Sequence, residues 1–374
     1  MNKILTNINF IGTYPRDISG YGNHTAGLVN AFYEQCNEEF SIGWECGLVN
    51  GWELQVSNAE FKMLSNVNNG VQVMITMPHI APIRMSDKPT AFLQYCVFEG
   101  DRIPQYWAEI LNKPEIDFVL VPSQHVFDAC INTGVNKDKL RVLHHGVNHE
   151  LFKPVKKVNP DGKFVFVFNG GWAKGLNDRK DVALLIRAFC EEFRKDEPVK
   201  LYLKINPAYT IIGFNYKVLI DSLGLVNDDH AEIELNSAVL GQEDLPGVYA
   251  VGDVFVCVSR AEAFGLTYLE AMSCGLPCIA ANYGGYLDFV NSDNGWLIDG
   301  EMKPASDTEI LYEGINWFYA SKESLKKAMR EAYVNKDLLA QKSKKSLDTS
   351  QLFSWNVTAQ NLKKLIEEVQ KKNG

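Results

Sequence analysis

Two glutamates separated by seven residues, Glu262 and Glu270, are the strongest chemical signal in this 374-residue chain. Glu262 falls in a loop. Glu270 lies four residues after Leu266, one turn into the helix that the loop feeds. Helical side chains lean toward the helix N-terminus, so Glu270 leans back toward the loop. Between the two acids, Phe264, Gly265 and Leu266 offer backbone N–H groups at a helix start, which suits phosphate. Carboxylates repel phosphate, so the pair should serve hydroxyl groups on either side of it. A nucleotide sugar, with phosphate in the middle and hydroxyls at both ends, has that form. The plainer reading of each acid by itself is a first-turn carboxylate favoured by the helix dipole.

Positioning these groups is the work of a strand–helix–strand unit within Val251–Gly285. Val254 to Ser259 is an apolar run expected as a buried parallel strand. Arg260 to Gly265 is the loop, Leu266 to Cys274 the helix, and Gly275 its stop. Pro277 to Ala281 reads as the next strand. Ligands of such sheets bind at the carboxyl ends of the strands, so the loop and the first helical turn face a crevice.

The stretch SRAEAFGLTYLEAMSCGLPCIA resembles the E-x7-E signature of retaining GT-B glycosyltransferases, in particular glycosyltransferase family 4. The likeness includes Phe264-Gly265, Glu270-Ala271-Met272 and Gly275-x-Pro277. It implies that Glu262 contacts the donor sugar and that Glu270 holds the ribose hydroxyls. It also implies an Arg and a Lys that neutralise the donor diphosphate, in the loop after the strand Phe164–Phe168. Lys180 takes the Lys position by its distance from Ala188-Phe189; Lys174 or Arg179 takes the Arg position. The Gly20 and Gly22 loop after the first strand resembles the family's N-terminal glycine loop, which approaches the donor, while its spacing is not G-x-G-x-x-G. Arg16, Asp17 and His24 are possible acceptor contacts there. Glu99, in a Phe-Glu-x-x-Arg-Ile-Pro-x-x-Trp stretch similar to family relatives, is an acceptor-side residue or part of a helix-capping network. Where the family has Asn-Gly-Val-Asp, this chain has His145-Gly146-Val147-Asn148.

The length predicts two domains. The expected fold class is α/β: a GT-B fold of two Rossmann-like doubly wound domains facing a central cleft. Residues 1–155 form the acceptor-side domain, with a polar linker over Val155–Gly162. The resemblance implies that residues 156–351 form the nucleotide-sugar donor domain and that the last helix, amphipathic by its apolar spacing within 352–374, crosses back to the first, anchored by Trp355. Within the second domain, Phe214–Gly224 reads as a helix, and helices dominate from Thr308 onward.

Composition narrows the function classes. The net charge of −9, with 16 acidic and 11 basic residues in 1–155, disfavours a nucleic-acid face. Only the end is basic, with 12 Lys and Arg against 6 acids in 322–372: a solvated helical face, or at its sharpest a peripheral membrane patch. No apolar run approaches a membrane span. Eight cysteines without paired spacing read as reduced core thiols of a cytoplasmic protein. His144, His145 and His149 lack Cys partners for zinc, and no two aspartates are separated by a single residue as in D-x-D, so neither metal nor cofactor is expected.

The activity implied is retaining transfer of a sugar from a nucleotide sugar to a hydroxyl of a glycan, a lipid-linked sugar or another acceptor. It would proceed by front-face attack. Two alternatives are a GT-B nucleotide-sugar epimerase, which would not be expected to carry E-x7-E, and an idle nucleotide-sugar binding protein.

Overall fold

In a computed structural model of the chain, the described residues are 5–17, 19–46, 56–85, 87–154, 157, 161–172, 178–206, 218, 220, 221, 223, 229–307 and 309–373. The fold divides into two units, Met1–Asn148 with Phe353–Gly374, and His149–Leu352.

The first unit is built on a six-stranded sheet: β1 Thr6–Gly12, β2 Phe40–Cys46, β3 Val71–Met74, β4 Ala91–Tyr95, β5 Phe118–Val121 and β6 Leu140–Val142. Every pairing is parallel, in the order β2-β1-β3-β4-β5-β6. Alternate residues of four neighbouring strands, Ile8 and Phe10, Val71 and Val73, Leu93 and Tyr95, Phe118 and Leu120, are buried in one core. Leu28, Val29 and Phe32 of helix Gly20–Cys36 join that core, as do Ala359, Leu362, Ile366 and Val369 of helix Trp355–Asn373. The four apolar positions of the final helix recur at helical spacing, so one stripe seals it to the first unit. Each fully buried large side chain contributes about 1.5–3 kcal/mol.

The second unit repeats the plan with β7 Phe164–Gly170, β8 Val199–Ile205, β9 Glu232–Asn236, β10 Val254–Cys257, β11 Cys278–Ala281 and β12 Gly295–Ile298. The order is β12-β11-β10-β7-β8-β9, again all parallel. Phe166, Phe168, Leu201, Leu203, Val254, Val256 and Ile279 are completely buried, as near-continuous apolar runs require of a sheet covered on both faces.

Several boundaries differ from expectation. The first unit ends at Asn148 and not after Val155. The reason lies in residues 149–154: His149 Nδ1 is 2.9 Å from Ser273 Oγ, Ser273 also donates to the Phe152 carbonyl, and the Phe152 ring meets Tyr249 at 6.1 Å. Most of the expected linker, with Val155, Lys156 and 158–160, lies outside the described residues. So does most of the helix expected over Phe214–Gly224. Beyond residue 308 helices Lys322–Val334, Lys336–Ser350 and Trp355–Asn373 dominate as expected, but one strand precedes them: β14 Asn316–Ala320, paired antiparallel with β13 Gly300–Pro304. The aromatic run Trp317-Phe318-Tyr319 favours a strand.

All eight cysteines are free thiols, six of them buried. Among the described residues no helix is long and apolar enough to cross a membrane. Part of the basic end is spent internally. Lys322 pairs with Glu191 (2.6 Å), Arg330 with Glu192 (2.7 Å) and Lys363 with Glu39 (2.6 Å), and Lys342 is buried, donating to the Gly295 carbonyl.

Candidate functional site

From β7 the chain of the second unit moves toward β9, and from β10 toward β12, so strand order reverses between β7 and β10. The loops after these two strands therefore diverge at the carboxyl edge, where ligands of open α/β sheets bind. Both carry the residues that the sequence singled out.

The loop after β7 ends in a tight turn. Asp178 Oδ1 accepts the Lys180 N–H (2.7 Å), and the Asp178 carbonyl accepts the Asp181 N–H (3.1 Å). Asp181, with φ +50°, then caps helix Val182–Glu192. The two loops are clamped together by a buried ion pair: Arg260 donates Nε to Asp181 Oδ2 (2.9 Å) and Nη2 to Asp181 Oδ1 (2.8 Å). Its backbone N–H also binds the Arg179 carbonyl (2.7 Å). The hairpin braces the clamp from behind. Ser306 Oγ accepts from Arg260 Nη1 at 2.8 Å, and the Tyr319 ring lies 4.7 Å from the guanidinium.

This clamp brings Arg179 and Lys180 onto Glu262. Lys180 Nζ forms an ion pair with Glu262 Oε2; Arg179 Nη1 is 3.4 Å from the same oxygen and donates to the Ala261 carbonyl at 2.6 Å. Burial alone would raise the Glu262 carboxyl, but Lys180 and Arg179 outweigh it and hold it below the ordinary range, so it is ionised at neutral pH. The Glu262 carbonyl meanwhile accepts the Gly285 N–H (2.7 Å), which ties the loop to the next turn.

Helix Leu266–Ser273 starts beside this cluster. Gly265 occupies its N-cap at φ +98°, where a Cβ would stand 2.9 Å from the Tyr268 ring. Its carbonyl takes the N–H groups of Tyr268 and Leu269, and those of Leu266 and Thr267 have no acceptor within the helix. Phe264 contributes backbone only, its buried ring packing on Phe289 at 5.1 Å. Glu270 is buried one turn along, accepting the Tyr249 O–H at 2.7 Å on Oε2. Burial pushes its carboxyl up to about 7, against the Tyr249 hydrogen bond that lowers it.

Not every expected residue gathers here. Lys174 lies outside the described residues. Gly20, Gly22 and Glu99 belong to the first unit. Both glycines sit in the first turn of helix Gly20–Cys36, which begins three residues before the expected Asn23, because Ser19 caps it by accepting the Gly22 N–H (2.9 Å). A Cβ on Gly22 would come within 2.0 Å of the Asp17 carbonyl, while one on Gly20 would meet nothing. Glu99 is half-buried in the segment after β4. Arg16 spends its guanidinium on the buried Glu60, with two bonds of 2.9 Å, and Asp17 turns back to the Ser19 N–H. His24 does not face solvent: it is buried, stacked on His145 at 4.0 Å and on Trp355 at 6.0 Å. His144, by contrast, packs on Phe353, and His149 lies in the second unit.

Sequence reasoning missed the Asp181–Arg260 clamp and Tyr249. The only signal for the first was Arg260 two residues ahead of Glu262; Tyr249, 21 residues before Glu270, gave none.

Two six-stranded parallel α/β units, with charged loops and an open helix start at a strand-order reversal, define the GT-B class of fold. The chain superimposes on Alr3699/HepE of Anabaena, crystallised with UDP and glucose, with a TM-score of 0.68 at 16% identity, covering 97% of this chain and 100% of that one. Residues 152–335 match the glycosyl transferases group 1 family. Among curated relatives, the N-acetyl-alpha-D-glucosaminyl L-malate synthase of Bacillus anthracis is 26% identical over 217 residues, 52% of this chain and 55% of the relative. A D-inositol 3-phosphate glycosyltransferase of Saccharomonospora viridis is 30% identical over 243 residues, 62% and 50% of the two chains. The chain thus spans about half the length of the curated relatives it matches.

Proposed function

We propose that the chain is a glycosyltransferase that takes a nucleotide sugar as donor and transfers the sugar to an acceptor hydroxyl with retention of anomeric configuration. The observation that carries this reading is the meeting of Lys180, Arg179 and Glu262 beside the open start of helix Leu266–Ser273. Cations and helix N–H groups suit a diphosphate, and carboxylates at 262 and 270 suit the hydroxyls on its two sides. The family match and the names of the relatives support the same class.

In the mechanism proposed, the acceptor oxygen attacks the anomeric carbon on the face the diphosphate leaves. The carbon–phosphate-oxygen bond breaks with its electron pair passing to the phosphate, and the acceptor proton passes to that oxygen. Lys180 and Arg179 take up the charge on the leaving group, and Glu262 faces the ring as it gains positive character. Glu99 is the acceptor-side candidate of the first unit. With cations supplied by side chains, transfer needs no metal. The test is a panel of UDP, GDP and ADP sugars with glycan and lipid-linked acceptors. Released nucleoside diphosphate with an α-for-α or β-for-β product, unaffected by EDTA, is the expected result. A changed donor sugar without transfer would indicate an epimerase, binding alone an idle protein, and EDTA-sensitive turnover restored by Mg²⁺ or Mn²⁺ would overturn the metal-free route.

A further inference from the structure

Glu270 is the end of a buried chain of hydrogen bonds. Its Oε2 accepts the Tyr249 O–H at 2.7 Å, and the Tyr249 oxygen accepts from Asn169 Nδ2 at 3.0 Å. The three residues come from separate elements: Asn169 from the carboxyl end of β7, Tyr249 from helix Leu245–Ala250, and Glu270 from the helix after β10. All three are buried, and the Tyr249 ring lies 6.1 Å from both Phe152 and Phe255. Phenylalanine would fill that space without a buried hydroxyl to satisfy, so packing does not account for the oxygen. Its placement accounts for it. Asn169 occupies a lone pair of the hydroxyl, which directs the O–H at Glu270. Tyr249 in turn occupies Oε2, fixes the carboxylate plane and leaves Oε1 to a ligand.

We propose that Asn169 and Tyr249 are positioning residues that orient the Glu270 carboxylate toward a vicinal diol, the ribose of a nucleoside diphosphate, which rests on the donor-site reading above. The titratable groups that face Glu270 are Tyr249 and Cys274, at the end of its own helix, and His149 reaches the neighbouring Ser273. No Lys or Arg pairs with Glu270 among the described residues. Buried so, its carboxyl is pushed up to about 7. A diol donates to the ionised form, so affinity strengthens as pH rises through that region.

The test is calorimetric titration of the full chain with UDP, GDP and ADP between pH 5.5 and 8.5, in the wild type, Y249F, N169A and E270Q. For the nucleotide that binds the wild type, affinity is expected to rise with pH to a plateau. Y249F keeps the ring packing but removes a hydrogen bond to the ionised carboxylate. Its midpoint should move up by about one pH unit, and its Kd at pH 7, close to the wild-type midpoint, should weaken about 5-fold. N169A should shift in the same direction by less and serves if Y249F does not fold. E270Q should lose the protein's share of the pH dependence, leaving that of the ligand phosphates. A Y249F midpoint unchanged and a Kd within about twofold of wild type, while E270Q binds weakly, would overturn the inference alone. E270Q binding like wild type would overturn it by removing Glu270 from the ligand. A wild type that binds none of the three would overturn the donor-site reading as well.

Discussion

Replacing Arg260 with Met should cost more than any other single change at the mouth of the second unit. The side chains of Arg260 and Asp181 are 9% and 7% exposed and share two charge-assisted bonds of 2.8 and 2.9 Å. Removing one partner of a buried pair strands the other, at about 3–5 kcal/mol. For a unit of this size that is a fall in Tm of roughly 10 °C. The cost should also depend on pH. Burial already raises the Asp181 carboxyl even with Arg260 beside it, and without Arg260 it rises further. An acid whose folded-state pKa lies above its unfolded value takes up protons on folding as pH falls, so the R260M deficit shrinks toward pH 5 and grows toward pH 8. Urea unfolding at pH 5, 6.5 and 8, with a D181N/R260M double variant, measures this. The double variant should be more stable than R260M at pH 8, because no charge is stranded. An R260M loss below about 1 kcal/mol, or a double variant worse than R260M, would refute the reasoning.

Two further outcomes follow from single residues. Gly265→Ala puts a Cβ at φ +98° and 2.9 Å from Tyr268. It should cost about 1–3 kcal/mol in thermal unfolding, with nucleotide binding weakened by more than the loss of folded protein explains. His24 is pushed down to about 3 by complete burial, so it folds neutral. The unfolded chain binds a proton there below about pH 6.5, and stability should fall with pH from that point, by about 2 kcal/mol at pH 5. His24→Phe should remove this share of the dependence in urea titrations, leaving that of the stacked His145, which burial also pushes down, and an unchanged slope would contradict it.

What was legible in the sequence was local. The strand–loop–helix–strand from Val254 to Ala281 was readable because apolar runs, Gly265 and Gly275 mark its parts within 30 residues. The stripe on the last helix was readable for the same reason. Asp181 with Arg260, and Asn169 with Tyr249, are each about 80 residues apart and meet only because β7 pairs with β10. No periodicity announces such a meeting. Arg16 and His24 likewise read as acceptor contacts from their loop alone, whereas Arg16 is tied to the buried Glu60 and His24 is enclosed by His145, Tyr95 and Trp355. The hairpin of β13 and β14 was overlooked because its pairing partners flank an eleven-residue loop, from Ala305 to Ile315, rather than a short turn.

The most direct test of the donor site separates its two glutamates by calorimetry with the free nucleoside diphosphate and by turnover with the nucleotide sugar. Glu270→Ala removes a charged hydrogen-bonding group from the ribose and should weaken nucleoside diphosphate binding by about 1.5–3 kcal/mol. Glu262→Ala should leave that affinity nearly unchanged and lower kcat, because its interaction with the sugar strengthens in the transition state. Loss of nucleotide affinity in Glu262→Ala with none in Glu270→Ala would reverse the two roles, and normal binding and turnover in both would contradict the site.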